Sequence, residues 1–132
     1  MTDLSPLRVL VVEDEGPIAL MIEDMLEELG CTIAGSAGHL AKAREIATTA
    51  EIDLALLDVN LLGQPVFSVA EILRERKVPV VFSTGYGAGG LPEEFSGYVA
   101  LGKPFSQLEL RQAIVSAMKS ESVLGGSEDP SR

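Results

Sequence analysis

Short apolar segments alternate with amphipathic segments along most of the chain. Arg8–Val12 reads RVLVV, a run of apolar and β-branched residues that is typical of a strand buried on both faces. After an acidic loop, apolar residues recur at three- and four-residue spacing over Ile18–Leu29, and Gly30 closes this segment. The spacing predicts an amphipathic helix, and Pro17 suits the first turn of such a helix.

The same alternation continues to the end of the chain. Further strands are predicted at Cys31–Ala34, Asp53–Leu57, Val78–Phe82 and Tyr98–Leu101, and further helices at Leu40–Thr49, Pro65–Arg76 and Leu108–Met118. Strands that alternate with helices indicate a parallel sheet with helices on both faces. The predicted fold class is therefore α/β, with a five-stranded, doubly wound parallel sheet.

The region between the fourth and fifth predicted strands departs from this pattern. Gly85–Gly97 is rich in glycine, and only Pro92–Phe95 suits a turn or two of helix. The fourth helix is therefore expected to be short or irregular. The region is interpreted either as a long surface connection or as a segment that rearranges.

Length and charge limit the classes of function. A chain of 132 residues predicts one domain, here residues 8–119, with an N-terminal extension at 1–7 and a polar tail at 120–132 that is expected to be disordered. The formal net charge of −10 argues against binding a nucleic-acid backbone. The sequence has no signal-like start and no apolar run near the roughly 20 residues of a membrane span. We therefore expect a cytoplasmic protein without nucleic-acid or membrane contacts, and its single cysteine excludes a Cys-rich zinc site.

Polar residues follow four of the predicted strands at their carboxyl ends. They are Glu13 and Asp14 after the first strand, Asp58 after the third, Thr84 after the fourth and Lys103 after the fifth. Ligands of open parallel sheets bind at this edge, so these side chains are expected to converge. Taken singly, each has an ordinary structural interpretation, as a helix cap, a turn former, a strand-end hydroxyl or a solvated lysine. The functional prediction depends on all of them lying at one end of successive strands.

Three clustered carboxylates predict a metal site. Like charges repel one another, and a set of oxygen ligands suits Mg²⁺ or Mn²⁺. We expect Asp14 and Asp58 as direct ligands, Glu13 as a ligand through water, and the backbone carbonyl of Asn60 as a further oxygen donor. Such an ion would neutralise the charge on an incoming phosphoryl group.

The remaining polar groups suit phosphoryl transfer. Asp58 is the candidate nucleophile, since carboxylates form aspartyl-phosphates in covalent catalysis. Lys103 would bind one phosphoryl oxygen as a point charge, and Thr84 would donate a hydrogen bond to another. Phosphoryl transfer needs mainly positioning and charge stabilisation, which this set of residues can supply.

Four motifs carry a family resemblance. They are LVVEDE at Leu10–Glu15, LLDVNL at Leu56–Leu61, VVFSTG at Val80–Gly85 and GKPF at Gly102–Phe105. Over roughly Arg8–Met118 the chain resembles the receiver domain of bacterial two-component response regulators, in its stand-alone, single-domain form. The resemblance implies a flavodoxin-like sheet, a cis peptide at Lys103-Pro104, and transfer of a phosphoryl group to Asp58 that depends on Mg²⁺.

The resemblance also implies partners. The donor would be a phosphohistidine of a sensor histidine kinase or of a histidine phosphotransfer protein. The signal would leave by phosphorelay or by contact with a downstream protein, from a monomer or a weak phosphorylation-dependent dimer. Chemistry would be limited to self-phosphorylation and slow autodephosphorylation, so the protein is not predicted to be an enzyme.

The switch aromatic of the family is missing at its usual place. That residue lies three positions before the lysine, where this chain has Ala100. Tyr98 lies two residues earlier and shares a strand face with that position only if the strand is regular. The sequence therefore does not support an output switch that works through a tyrosine at the usual position.

FSTGYG at Phe82–Gly87 is similar to the "FAT GUY" signature of some alphaproteobacterial single-domain receivers, with Ser83 in place of the alanine and Gly87 in place of the last aromatic. That subgroup also lacks the switch aromatic. The resemblance implies a histidine kinase of the HWE or a related class and a link to the general stress response. We further hypothesise that the Tyr86 ring slows hydrolysis of the aspartyl-phosphate.

Other functions fit the sequence less well. A phosphatase of the haloacid dehalogenase type needs a second aspartate two residues after the nucleophile, where this chain has Asn60. A flavin-binding protein of the same topology is a weaker alternative still. A receiver-like binding module that works without phosphorylation remains the main alternative, although every residue type of the acceptor site is present.

Overall fold

The computed structural model describes residues 4–85 and 91–126. The strands are β1 (Arg8–Val12), β2 (Thr32–Ala37), β3 (Leu54–Asp58), β4 (Asn60–Leu61), β5 (Gln64–Pro65), β6 (Val80–Thr84) and β7 (Val99–Gly102). The helices are α1 (Gly16–Glu28), α2 (Leu40–Thr49), α3 (Phe67–Glu75) and α4 (Gln107–Gly126), and Glu93–Phe95 forms one 3₁₀ turn.

Five strands form one parallel sheet in the order β2-β1-β3-β6-β7. The chain first moves outward from β1 to β2 and then crosses to β3 on the other side of β1. Strand order therefore reverses between β1 and β3, which creates the crevice typical of open α/β sheets. The topology confirms the predicted five-stranded parallel sheet.

Apolar side chains of alternating residues cover the two faces of the sheet. Leu10, Val12 and Phe82 pack with the buried residues of α2 and α3. Val11 and Val81 pack on the other face with α1 and α4. Since successive residues of a strand point to opposite faces, continuous apolar strands such as β1 are required to fill both cores. The sheet is doubly wound, as predicted.

Several boundaries differ from the predicted ones. β1 and α2 have the predicted limits, but β2 runs over Thr32–Ala37 rather than Cys31–Ala34. β2 is an edge strand with mostly half-buried side chains, so its extent is set by pairing with β1 and not by an apolar pattern. β6 begins at Val80 rather than Val78 and continues to Thr84, because its polar end pairs with its neighbours in the sheet.

The segment after β3 contains a small hairpin that the sequence pattern does not predict. β4 and β5 form two antiparallel pairs, Asn60 with Pro65 and Leu61 with Gln64. Since Pro65 belongs to this hairpin, α3 begins at Phe67 instead of Pro65. Strands of two residues are too short for any periodicity to be visible.

The last third of the chain shows one prediction confirmed and one corrected. Between β6 and β7, the only helical element among the described residues is the 3₁₀ turn Glu93–Phe95, as the glycine-rich sequence predicts. The final helix, in contrast, continues from Gln107 to Gly126, past the predicted end at Met118 and into the segment predicted to be disordered. Within the described residues, no helix combines the length and apolar character needed to cross a membrane.

Candidate functional site

Four strands end at one edge of the sheet and bring their polar side chains there. These side chains belong to Glu13 and Asp14 after β1, Asp58 at the end of β3, Thr84 at the end of β6 and Lys103 after β7. The edge lies at the reversal of strand order, where open parallel sheets bind ligands. The structure thus brings together the residues that the sequence predicts to converge.

Three carboxylates form the centre of the site. Glu13, Asp14 and Asp58 each offer one oxygen, and these three oxygens lie within 4.8 Å of one another. Glu13 and Asp58 are buried, and Asp14 is half-buried. Burial is the main cause that raises the pKa of Glu13, followed by the negative charge of Asp58.

A single lysine contacts two of these carboxylates. The Nζ of Lys103 lies 3.1 Å from Oδ2 of Asp58 and 3.2 Å from Oε1 of Glu13. Burial by itself would lower the pKa of Lys103, but the hydrogen bond and charge of Asp58, together with the charge of Glu13, outweigh burial and raise it. The lysine is therefore held in its charged form beside Asp58.

Backbone N–H groups orient the carboxylates. Asn60 donates to Oδ1 of Asp58 at 3.2 Å, and Glu15 donates to Oε2 of Glu13 at 3.2 Å. Leu62 donates to Oδ2 of Asp14 at 3.1 Å from the tip of the β4–β5 hairpin. Each donor stabilises the charged form of the oxygen that it contacts.

The contact of Leu62 is one that sequence reasoning missed. Leu62 has φ of 52° and Gly63 has φ of 82°, so both adopt the left-handed conformation of a tight turn. In the sequence, the pair Leu62-Gly63 is the feature that could have indicated a turn here. It does not reveal the hydrogen bond from Leu62 to Asp14.

Two adjoining cavities open onto Asp58. One of about 450 Å³ is lined by Asp14 and Lys103, and the other, of about 310 Å³, is lined by Thr84 and the half-buried Phe67. Asp58 and Asn60 line both cavities. The carboxylate of Asp58 is thus reachable from two sides, although its residue is buried.

The oxygen donors at this edge fit a hard divalent cation. All three acidic side chains present oxygens, and Glu13 and Asp58 do so from buried positions. Mg²⁺ and Mn²⁺ prefer such oxygen sets and keep several waters. The chemistry of the donors therefore agrees with the predicted metal.

Residues 9–115 match the family model of the response regulator receiver domain. The chain belongs to this family. It is a receiver domain of two-component signalling, and the Lys103-Pro104 peptide is cis, as the resemblance implies.

Curated relatives include longer regulators. The chain is similar to the transcriptional regulatory protein PdtaR of Mycobacterium tuberculosis, with 36% identity over 113 residues that cover 83% of this chain and 55% of that protein. It is also similar to the phyllosphere-induced regulator PhyR of Methylorubrum extorquens, with 33% identity over 91 residues that cover 67% of this chain and 32% of that protein. The chain therefore spans about half the length of PdtaR and a third of PhyR.

Solved structures of similar size agree with the fold. The solution structure of SdrG from Sphingomonas melonis Fr1 is 37% identical, covers 86% of this chain and 97% of its own, and has a TM-score of 0.77. The receiver domain of PhyR from Erythrobacter litoralis is 33% identical, covers 86% of this chain and 90% of its own, and has a TM-score of 0.73.

The structure also shows what occupies the region of the missing switch aromatic. Ala100 is half-buried and pairs with Phe82 in the sheet. The Tyr98 ring packs at 5.1 Å from the ring of Phe95 and at 5.8 Å from the ring of Phe82. Tyr86, on which the hydrolysis hypothesis depends, lies outside the described residues.

Proposed function

We propose that this receiver domain accepts a phosphoryl group on Asp58 from a phosphohistidine of a sensor histidine kinase or a histidine phosphotransfer protein. The observation that carries the proposal is the position of the Lys103 ammonium, 3.1 Å from Asp58, beside oxygens of Glu13 and Asp14. This arrangement combines a nucleophile with a cation and an acidic cluster, as phosphoryl transfer requires.

The transfer step forms one bond at Asp58 and breaks one bond in the donor. One carboxylate oxygen of Asp58 attacks the phosphorus and forms an O–P bond, while the N–P bond to the imidazole of the donor breaks and the imidazole keeps the electron pair. Lys103 then binds a phosphoryl oxygen. Thr84, which lines a cavity with Asp58, donates its hydroxyl hydrogen to another phosphoryl oxygen.

A divalent metal ion is part of the proposal. Asp14 and Asp58 would hold Mg²⁺ or Mn²⁺ directly, Glu13 through water, and Asn60 through its backbone carbonyl. When bound, the ion neutralises negative charge on the phosphoryl group. The close approach of the Glu13, Asp14 and Asp58 oxygens, which lie within 4.8 Å of one another, supports binding of the ion here.

The domain is proposed to carry the phosphoryl group rather than to turn over a substrate. Its only reactions would be self-phosphorylation and slow autodephosphorylation. Asn60 stands where a phosphatase of the haloacid dehalogenase type needs an acidic proton donor, and its backbone N–H contacts Asp58. An amide side chain cannot supply that proton.

Similarity to PhyR supports the proposed partners. A PhyR from Bartonella quintana is described as an anti-anti-sigma factor, and its structure is 26% identical to this chain with a TM-score of 0.79. We accordingly propose a protein partner downstream and a kinase of the HWE or a related class upstream, in the cytoplasm. Stand-alone action and the monomer–dimer state stay predictions.

The test is the intact mass after incubation with acetyl phosphate, with and without Mg²⁺. We expect an adduct of one phosphoryl group that needs Mg²⁺ and is absent in Asp58→Asn. Asp24→Asn, which changes an exposed aspartate of α1, is the matched control and should take up phosphoryl as the wild type does.

An adduct that persists in Asp58→Asn would contradict the assigned acceptor. If the folded wild type gains no phosphoryl group from acetyl phosphate or from a histidine kinase, the phosphorylation-independent binding module becomes the better assignment.

A further inference from the structure

The hydroxyl of Ser83 is buried beside the site, and no hydrogen-bond partner for it lies among the described residues. Ser83 is 1% exposed, and its Oγ makes no hydrogen bond with any residue that the structure describes. A buried hydroxyl that lacks a hydrogen bond destabilises a fold, so such groups are uncommon in proteins. The presence of a buried serine at position 83, where an apolar residue would avoid this cost, therefore needs an explanation.

Sheet register places Ser83 directly beside Asp58. The two residues are paired across β3 and β6. Because paired residues of parallel strands project to the same face, their side chains lie on one side of the sheet. Thr84, the next residue along β6, projects to the opposite side. Ser83 is thus the hydroxyl of β6 that shares a face with Asp58.

Lys103 has to pass Ser83 to reach Asp58. Lys103 follows β7, which pairs with β6, while Asp58 ends β3 on the other side of β6. The lysine nevertheless contacts Asp58 at 3.1 Å, so its side chain crosses the end of β6. On the face that holds Asp58, the β6 residue at this crossing is Ser83.

The Lys103 ammonium has three N–H donors, and its two carboxylate partners use two of them. An ammonium group carries three hydrogens. Two can be directed at Asp58 and Glu13, whose oxygens lie within 3.2 Å of Nζ. Because Ser83 pairs with Asp58 on one side and with Leu101, two residues before Lys103, on the other, we expect its hydroxyl oxygen to become an acceptor for the third hydrogen by rotation about a single bond.

We infer that Ser83 is a positioning residue that holds the Lys103 ammonium over Asp58 when the lysine shifts from the carboxylates to a phosphoryl group. The inference rests on the proposed role of Asp58 as acceptor. Phosphorylation turns one Asp58 oxygen into the bridging oxygen of an acyl phosphate and so weakens it as a partner for Lys103. Ser83 then supplies a fixed neutral acceptor, and its buried hydroxyl gains the hydrogen bond that it lacks.

Three variants test this role. Ser83→Ala removes the hydroxyl, and the "FAT GUY" signature that this segment resembles has alanine at the same place, so the strand should accept the change. Ser83→Thr restores a hydroxyl. Ser68→Ala is the matched control, because Ser68 on α3 also has a buried Oγ that makes no hydrogen bond within the described residues.

Two readouts separate positioning from a purely structural effect. The first is the initial rate of phosphoryl uptake from acetyl phosphate with Mg²⁺, followed by intact mass. The second is the ¹H–¹⁵N NMR signal of the Lys103 ammonium in the presence of Mg²⁺ and beryllium fluoride, an analogue of the phosphoryl group. Ser83→Ala should slow uptake about tenfold, the lower end of the effect expected for one charge-assisted hydrogen bond, and should broaden the lysine signal by faster exchange. Ser83→Thr should recover both, and Ser68→Ala should change neither.

The possible outcomes are distinct. A rate within twofold of wild type together with an unchanged lysine signal in Ser83→Ala would overturn the role of Ser83 while leaving Asp58 as acceptor. If the wild type takes up no phosphoryl group from acetyl phosphate or from a histidine kinase, the proposed function fails, and the lysine signal alone then decides whether Ser83 positions Lys103.

Discussion

At the scale of single residues, Asp53 joins two neighbouring strands at the end of the sheet opposite to the site. Its Oδ2 accepts the backbone N–H of Arg8 at 2.8 Å and the Nε of Arg8 at 2.9 Å. The side-chain hydrogen bond from Arg8 is the main cause that lowers the pKa of Asp53, although partial burial acts in the opposite direction. One carboxylate therefore links the beginning of β1 to the residue before β3.

Replacing this carboxylate should weaken the fold slightly. We expect Asp53→Asn to lower the Tm by about 2 °C at pH 7, since solvent screens a pair of this exposure. Because the pKa of Asp53 is lower in the folded protein than its ordinary value of 3.8, the stabilisation is present above that pH and is lost as the pH falls through the lowered value. Thermal unfolding of wild type and variant from pH 7 to pH 2.5 measures this loss.

Glu51→Gln provides the control for this pair. Glu51 also contacts Arg8, but its side chain is 82% exposed, so its removal should have a smaller effect at every pH. A difference between wild type and Asp53→Asn that grows as the pH falls would contradict the assignment.

Among the secondary-structure elements, the 3₁₀ turn Glu93–Phe95 between β6 and β7 is held in place by aromatic packing. The fully buried ring of Phe95 lies 5.7 Å from the ring of Phe67, 5.6 Å from that of Phe82 and 5.1 Å from that of Tyr98. The guanidinium of Arg74 lies 4.9 Å from the centre of the Phe95 ring. One residue thus attaches a three-residue turn to α3, β6 and the beginning of β7.

We expect Phe95→Ala to lower the free energy of unfolding by about 3–4 kcal/mol, because it removes a large side chain from a closely packed core. Urea unfolding measures the loss. Leu108→Ala on α4 is the control, since Leu108 is 60% exposed and its removal should change stability by less than about 0.5 kcal/mol. Equal losses in the two variants would show that Phe95 does not anchor the turn.

Elements differ in how far their sequences specify them. α2 and β1 begin and end as predicted, because helical spacing and an apolar run are local patterns. β4 and β5 are two residues long and depend on each other and on the turn at Leu62, so no local pattern reveals them. The polar end of β6 is a strand only because it pairs with β3 and β7.

At the scale of the whole molecule, the charge is strongly one-sided. The chain has twenty acidic residues and ten basic residues, which gives a formal net charge of −10. Repulsion among like charges destabilises a compact chain, and three of the carboxylates are also gathered at one edge of the sheet. Repulsion between the acidic residues therefore lowers the free energy of unfolding of this domain.

Screening should relieve this repulsion. We expect the Tm to rise by about 2–4 °C when NaCl is raised from 10 mM to 200 mM, because the Debye length falls from about 30 Å to about 7 Å. Mg²⁺ at matched ionic strength should raise the Tm further in wild type and less so in Asp14→Asn, since binding adds to screening. Equal effects of NaCl and MgCl₂ on the wild type would contradict a specific metal site.

The alternation of strands and helices and the order of polar residues at the strand ends could be predicted from the sequence alone. Both are local properties, and Glu13, Asp58 and Lys103 converge because successive parallel strands end at one edge. The tertiary structure was needed to show that the Leu62 N–H binds Asp14, that Ser83 pairs with Asp58 across β3 and β6, and that α4 continues to Gly126. These contacts depend on register and on turn conformation, which are set by packing between residues far apart in the chain.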